Sequence, residues 1–263
     1  MKCSICKEES DRIFESTVLG KYRIAYFNCK KCGFLQTEEP YWLGEAYEEP
    51  INRSDTGILA RNIWLSKVTS SMISSFFDPK KRFLDYAGGY GILTRLMRDR
   101  GFDYYWNDPF TENLFARGFE LEDNLGRFEL ITAFECLEHL KDPLSDIQRM
   151  LTYSDNILFS TEVLPSSIPA PEDWWYYGLE HGQHVSFYQK RTLAFIAEKM
   201  GFHLNSHGTV HLFTKKKINS HVYELAVRKS IFGPSRLLGK KLKSRTFLDM
   251  EKIRSSSRDD KRQ

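Results

Sequence analysis

The sequence has no apolar run approaching the roughly 18 residues that cross a bilayer. Its opening, MKCSICKEES, lacks the apolar segment of a secretory signal. A helical membrane protein is thereby excluded, and the expectation is a cytoplasmic chain. A phosphate-binding loop is lacking too: Gly91 is followed by Ile92 and Leu93, where such a loop requires Lys-Ser/Thr. The spacing of Gly88, Gly89 and Gly91 does not fit the Gly-x-Gly-x-x-Gly dinucleotide pattern either. Internal repeats are absent. Cysteine is scarce, five in 263 residues, but its placement is informative.

Four cysteines form two Cys-x-x-Cys pairs, Cys3/Cys6 and Cys29/Cys32, separated by 22 residues. In a cytosolic chain this spacing argues for zinc rather than disulfides. Two knuckles supply four thiolates to one tetrahedral ion, which closes every position and makes the metal structural. It would order a lobe too small to fold alone.

Net charge is only +3, yet it is unevenly spread. From position 215 to the end there are 15 basic and 5 acidic residues, so the preceding body is net acidic. The plainest reading of the tail is a solvated, partly helical segment; docking on the acidic body, peripheral contact with an anionic membrane, or contact with nucleic acid are the alternatives.

The pattern divides into a zinc-binding lobe at 1–45, a linker and leading helix at 46–79, a catalytic domain at 80–218 and a basic tail at 219–263. From RFLDYA onward, strand patterns alternate with helical ones: ILTRLMRDRG, PLSDIQRML and KRTLAFIAEKMG read as helices. DYYWND, RFELITAFEC, NILFSTEV and the pair FHLNSHG and VHLFTKK read as strands. Such alternation predicts a doubly wound α/β fold with a largely parallel sheet.

In open sheets of this kind, ligands sit beyond the carboxyl ends of the strands. Asp85 ends the first strand there, a glycine-rich bend follows, and Asp108 ends the second. An acid at that place can accept from the vicinal hydroxyls of a ribose, while the bend admits an uncharged part of the ligand. A nucleoside with a non-phosphate extension satisfies both.

FLDYAGGYGILTRL, NDPF and FELITAFECLEHLKDP together resemble the class I S-adenosylmethionine-dependent methyltransferases, over about residues 80–215. The resemblance implies a Rossmann-like sheet of seven strands, the last antiparallel, joined here to a small zinc-ribbon-like lobe. It implies that Asp85, Gly88, Gly89 and Gly91 shape the pocket for the amino-acid portion and ribose. Asp108 would hold the ribose hydroxyls, Pro109 and Phe110 would flank the adenine, and Phe134 and Glu135 would line the methionyl side. Glu138 and His139 would orient the loop that follows, and Cys136 would be a small core residue. Ala87 departs from the pattern, which has glycine there; at positive φ the alanine would cost roughly 1 kcal/mol or more.

The stretch at 160–193 follows the fifth strand and should cover the pocket mouth. Its cluster Trp174, Trp175, Tyr176 and Tyr177 reads as a lid core or as a wall on which a sugar ring stacks. Methyl transfer to a hydroxyl or carbon acid needs removal of a proton, a task suited to imidazole. EHGQHVSFYQKRTL resembles the segment carrying the proposed base of zinc-bearing sugar methyltransferases, with His184 the best match and His181 the reserve. The implied activity is methylation of oxygen or carbon on a saccharide or nucleotide-linked sugar. Carbon methylation would also need an enolate stabiliser, for which Tyr47 and Glu180 are the candidates. The alternatives are a zinc-containing RNA methyltransferase and a non-catalytic binding protein on the same fold; the acidic body argues against a nucleic-acid partner.

Overall fold

The computed structural model describes residues 1–48, 55–229 and 242–259. Parts of the predicted linker and basic tail therefore lie outside the described residues. The strands run in chain order β1 (Asp11–Val18), β2 (Tyr22–Asn28), β3 (Leu35–Thr37), β4 (Arg82–Tyr86), β5 (Asp103–Asn107), β6 (Leu130–Ala133), β7 (Asn156–Ser160), β8 (Ser186–Phe187), β9 (His203–His207) and β10 (Val210–Thr214). The helices are α1 (Leu43–Ala46), α2 (Ile58–Phe76), α3 (Ile92–Asp99), α4 (Pro143–Tyr153), α5 (Lys190–Lys199), α6 (Ser220–Lys229) and α7 (Thr246–Asp259). Among the described residues, no helix is long and apolar enough to cross a membrane.

The predicted alternation is present, and its local causes are visible. In α2 the residues Leu65, Val68, Met72 and Ile73 recur at helical spacing and are buried, whereas Leu59 and Ile63 on the first turns are exposed. Gly101, at φ +97°, donates its N–H to the Arg98 carbonyl and stops α3. Asp142 caps α4 by accepting from the Ser145 N–H, with Pro143 at the first helical position. Phe83 and Leu84 of β4 and Leu130 and Ile131 of β6 are wholly buried, as strands covered on both faces require.

One sheet has the order β5-β4-β6-β7-β10-β9. β4 runs parallel to β5 and β6, and β10 runs antiparallel to β7 and β9, so the last strand is reversed as the family resemblance implied. The resemblance also implied seven strands; six are formed among the described residues. Beside β5 there is a single parallel bridge from Trp106 to Glu120. Gly118, at φ +84°, precedes this bridge, and Glu122, Asp123 and Asn124 run on into a 3₁₀ turn. The segment has room for one bridge and too little apolar length for a strand.

The second sheet, β1-β2-β3-β8, is antiparallel. Its last member is two residues long and comes from the loop ahead of α5, so chain from far downstream completes the N-terminal sheet. The described chain forms two compact units: Met1–Asp55 with Ala133–Tyr223, and Thr56–Thr132 with Glu224–Gln263. The core of the first gathers Ile24, Tyr26 and Leu35 with Trp42, Tyr177 and Phe187.

Candidate active site

In the unit that holds β4 and β5, the turn at 86–91 carries the residues expected to cradle a cofactor. β4 pairs in register with β5, Tyr86 opposite Asn107, which brings Asp85 and Asp108 to the same end of the two strands. Asp85 is buried, and accepts from Thr94 Oγ1 at 3.1 Å and Thr132 Oγ1 at 2.9 Å. Burial pushes its carboxyl up to about 7, against those hydrogen bonds and with a further push from Asp108. Gly88 allows a close approach: a Cβ there would come within 2.8 Å of both Asp85 Oδ2 and Trp106 Cδ1. Ala87 does adopt positive φ, +55°, the costly branch of the sequence expectation.

Asp108 is already engaged by the loop. Its Oδ2 accepts from the Gly89 N–H at 2.9 Å, and its Oδ1 accepts from the N–H groups of Phe110 and Thr111 at 2.8 and 3.1 Å. A carboxylate has about four acceptor positions, so one remains, on Oδ2. As placed, Asp108 can take one ribose hydroxyl as it stands and a second only by giving up a backbone donor. Phe110 is exposed, 66%, and so is Pro109, which places apolar surface next to Asp108. These residues suit a nucleoside with a polar, uncharged ribose edge, as the adenosyl part of S-adenosylmethionine presents.

Phe134 and Glu135 belong to the other unit. Glu135 sits at φ +49°, donates its N–H to Ser160 Oγ at 2.9 Å and accepts from the same hydroxyl. Its side chain is thereby turned toward the end of β7. Cys136 is buried, as expected of a small core residue.

A few residues on, three imidazoles converge. The His139 and His184 ring centroids are 4.9 Å apart, and those of His181 and His184 are 4.8 Å apart. The Tyr176 carbonyl lies 2.6 Å from His184 Nδ1, so that nitrogen carries the proton and donates it; the Nε2 lone pair is left available. His181 is oriented the other way, its Nδ1 accepting from the Gln183 N–H at 3.1 Å. Tyr47 Oη is 3.0 Å from His139 Nδ1. Burial pushes the His139 imidazole down to about 4 and that of His184 well below its ordinary value, each with help from neighbouring imidazoles. Burial also lowers His181. All three are neutral near pH 7. Glu138 is fully buried, and burial with the nearby Glu135 charge raises its carboxyl to about 8.

Sequence reasoning gave Glu138 and His139 a loop-orienting role, and the structure adds their side chains to the cluster around His184. The available signal was an acid–histidine dyad just past a strand's carboxyl end. Glu180, by contrast, is exposed on the loop surface. The four aromatics of the 174–177 cluster divide. Tyr176 and Tyr177 are buried, and Trp174 packs edge-on against Tyr177, so all three spend their rings inside the unit. Trp175 alone is exposed, 76%, and free to stack on a ligand.

In the same unit the four cysteines meet. Cys3 and Cys32 Sγ are 3.5 Å apart, Cys6 and Cys29 Sγ are 3.3 Å apart, and all four lie within 4.8 Å of one another. These separations exclude disulfides, whose sulfurs are about 2 Å apart. They approach the edge of roughly 3.8 Å that four thiolates at about 2.3 Å from a tetrahedral zinc ion would have. The donor set and its geometry fit zinc.

No curated protein matches the chain in sequence. Among solved structures, an O-methyltransferase family protein from Burkholderia thailandensis is 16% identical, with a TM-score of 0.46 over 65% of this chain and 61% of that one. Human N-acetylserotonin methyltransferase in complex with SAM is also 16% identical, with a TM-score of 0.45 over 67% and 66%. A possible histamine N-methyltransferase from Thermotoga maritima is 12% identical, with a TM-score of 0.44 over 66% and 97%. The chain thus spans less than two thirds of the length of the first two. The family model described as a methyltransferase domain matches residues 64–207, more than half of the chain. The chain belongs to that methyltransferase-domain family.

Proposed function

We propose that the enzyme methylates a saccharide or nucleotide-linked sugar, and that the acceptor hydroxyl is activated at His184. The observation that carries this reading is the 2.6 Å contact from His184 Nδ1 to the Tyr176 carbonyl. It fixes the ring and leaves Nε2 as a free lone pair among two other neutral imidazoles. Such a nitrogen can take the hydroxyl proton or hold a cation that weakens the oxygen's grip on it. The sugar class is supported by the exposed indole of Trp175 and by the resemblance of EHGQHVSFYQKRTL to zinc-bearing sugar methyltransferases.

When bound, the sulfonium supplies an electrophilic methyl group. The chain's part is to hold the adenosyl moiety at Asp108 and the 88–91 turn, and to relieve the acceptor of its proton at His184. We further assign Cys3, Cys6, Cys29 and Cys32 to one structural zinc ion, which stabilises the N-terminal sheet and takes no part in the transfer.

A panel of nucleotide-linked sugars incubated with the enzyme and S-adenosylmethionine tests the acceptor class by mass spectrometry. Methyl gain on at least one sugar is expected; gain only on RNA would replace this reading. His184→Ala should lower turnover at least about 100-fold, the usual scale of general acid–base assistance, with S-adenosylmethionine affinity unchanged. Full turnover in that variant would remove His184 from the chemistry.

A further inference from the structure

The chain carries a second cluster of metal-ligating groups, distinct from the cysteines. Glu138, His139 and His184 each offer a ligand atom, and these atoms lie within 4.8 Å of one another. Two independent features separate this cluster from an ordinary packing of polar side chains.

The first is Glu138. Its side chain is wholly buried, and neither carboxylate oxygen has a hydrogen bond of good geometry among the described residues. The Thr161 and Tyr176 hydroxyls stand close enough to favour its charged form, but they also bond each other at 3.2 Å, so one proton of the two is left for a carboxyl with about four acceptor positions. A buried carboxyl left unpaired costs on the order of 1–3 kcal/mol or more, and native proteins seldom keep one without a use. The backbone does not let it escape: the Glu138 carbonyl accepts from the Val185 N–H at 2.9 Å, which pins Glu138 beside His184.

The second is the orientation of His184. A histidine that ligates a metal usually donates its other ring N–H to a carbonyl or carboxylate, which sets the tautomer and aims the free nitrogen. His184 has that partner in Tyr176. His139 has a hydroxyl at one ring nitrogen, from Tyr47. Both histidines are therefore held from behind by groups that lie outside the trio.

We propose that Glu138, His139 and His184 bind one divalent transition-metal cation. Two imidazoles and one carboxylate favour zinc, cobalt, iron or manganese over magnesium or calcium, which prefer all-oxygen shells. In a loaded site the ligand atoms would stand roughly 3.0–3.5 Å apart, given metal–ligand distances near 2.1 Å, so a pair at the 4.8 Å limit has to close by roughly 1.3–1.8 Å. Three protein ligands leave coordination positions open, unlike the four-thiolate site. The open positions suit a hydroxyl or a vicinal diol, whose proton the cation makes more acidic. The inference rests on the proposed function in one respect, that the acceptor hydroxyl comes to His184. In the metal-bound protein Nε2 of His184 would be a ligand and would no longer take that proton; the cation would acidify the hydroxyl, whose proton leaves to solvent as the methyl group passes from sulfur to oxygen.

The test is a cobalt(II) titration of the full chain, followed by visible spectroscopy and isothermal calorimetry without any acceptor. Cobalt at the cysteines gives intense thiolate charge-transfer bands, whereas cobalt on nitrogen and oxygen gives only weak ligand-field bands. The expected result is one equivalent with the weak signature in the native protein. Glu138→Gln and His139→Ala should each weaken that equivalent by more than the roughly 10–100-fold typical of outer-shell changes, with the thiolate signal intact as evidence of folding. Absence of the weak-signature equivalent from the native protein overturns the site, and so does its survival at full affinity in Glu138→Gln. Because no acceptor enters the measurement, a failed sugar panel leaves this result untouched, and a missing cobalt site leaves His184 as a metal-free base.

Discussion

At the scale of single residues, the glycine-rich turn was legible in chemistry and only partly in conformation. The sequence placed Asp85, Gly88, Gly89, Gly91 and Asp108 around one bend, and β4 and β5 do bring them to one end of the strands. What it could not reveal was that Asp108 spends three of its acceptor positions on the loop itself, because backbone N–H directions follow from φ and ψ at Gly89, Phe110 and Thr111. Ala87 is the clearest case of a local rule broken. At φ +55° an alanine bears about 1–2 kcal/mol of steric cost that glycine avoids. Replacement by glycine removes this strain but frees the unfolded chain, which offsets roughly 0.5–1 kcal/mol. Ala87→Gly should therefore stabilise the protein modestly, by up to about 1 kcal/mol, readable as a higher denaturation midpoint at unchanged slope. A loss of stability would mean that the alanine methyl makes packing contacts worth more than the strain. Glu135, also at positive φ, has a partner that accounts for its shape: Ser160 binds both its N–H and its carboxylate.

At the scale of elements, strands and helices with long, periodic patterns were readable, and those made by distant pairing were not. β4, β5 and α3 to α5 follow from apolar spacing, caps and glycine stops. β3 and β8, of three and two residues, owe their existence to each other across 150 residues of chain, which no local pattern records. The tail is instructive too. Its excess of lysine and arginine reads first as a solvated segment, with docking by positive charge as an alternative; Arg245 does pair with Asp103 at 3.2 Å, but the buried contact at the start of α7 is made by an acid. Asp249 accepts from Arg98 Nε and Nη2 at 2.8 and 2.7 Å, both side chains being buried. The same guanidinium donates to the Tyr104 carbonyl and lies 3.5 Å over the Phe119 ring. A bidentate pair of this kind is worth little against an apolar replacement of both partners, but removal of Asp249 leaves the buried guanidinium with Asp103, 3.0 Å from Nη1, as its remaining carboxylate among the described residues, at a cost of up to about 3–5 kcal/mol. Asp249→Ala should thus lower the unfolding free energy on that scale, and Arg98→Met in the same chain should restore part of it. Melting curves for the single and double variants decide this; a shift under about 0.5 kcal/mol, the usual range for surface substitutions, would show that α7 does not depend on the pair.

At the scale of the whole molecule, the cysteine pairs tie the N-terminal segment to chain more than a hundred residues downstream. The Cys32 carbonyl accepts from Thr192 Oγ1 at 2.8 Å, and Arg191 donates to the Lys30 carbonyl at 3.0 Å, so the second knuckle rests on the start of α5. β3, directly after that knuckle, pairs with β8, and β8 begins two residues after His184. Trp42 Nε1 donates to the Gly182 carbonyl and Gln183 Nε2 to the Ala46 carbonyl, at 2.8 and 2.7 Å, closing the same circuit from the other side. Loss of the knuckle should therefore loosen the histidine-bearing loop although no cysteine touches it. In Cys29→Ser, hydrogen exchange is expected to rise over residues 22–37 and also over 174–189, while β4 and β5, in the other unit, keep their protection. Treatment of the native protein with a strong zinc chelator should reproduce the pattern. Faster exchange confined to the first 34 residues would mean that β8 and the loop stand without the thiolate site, and the zinc would then stabilise only its own lobe.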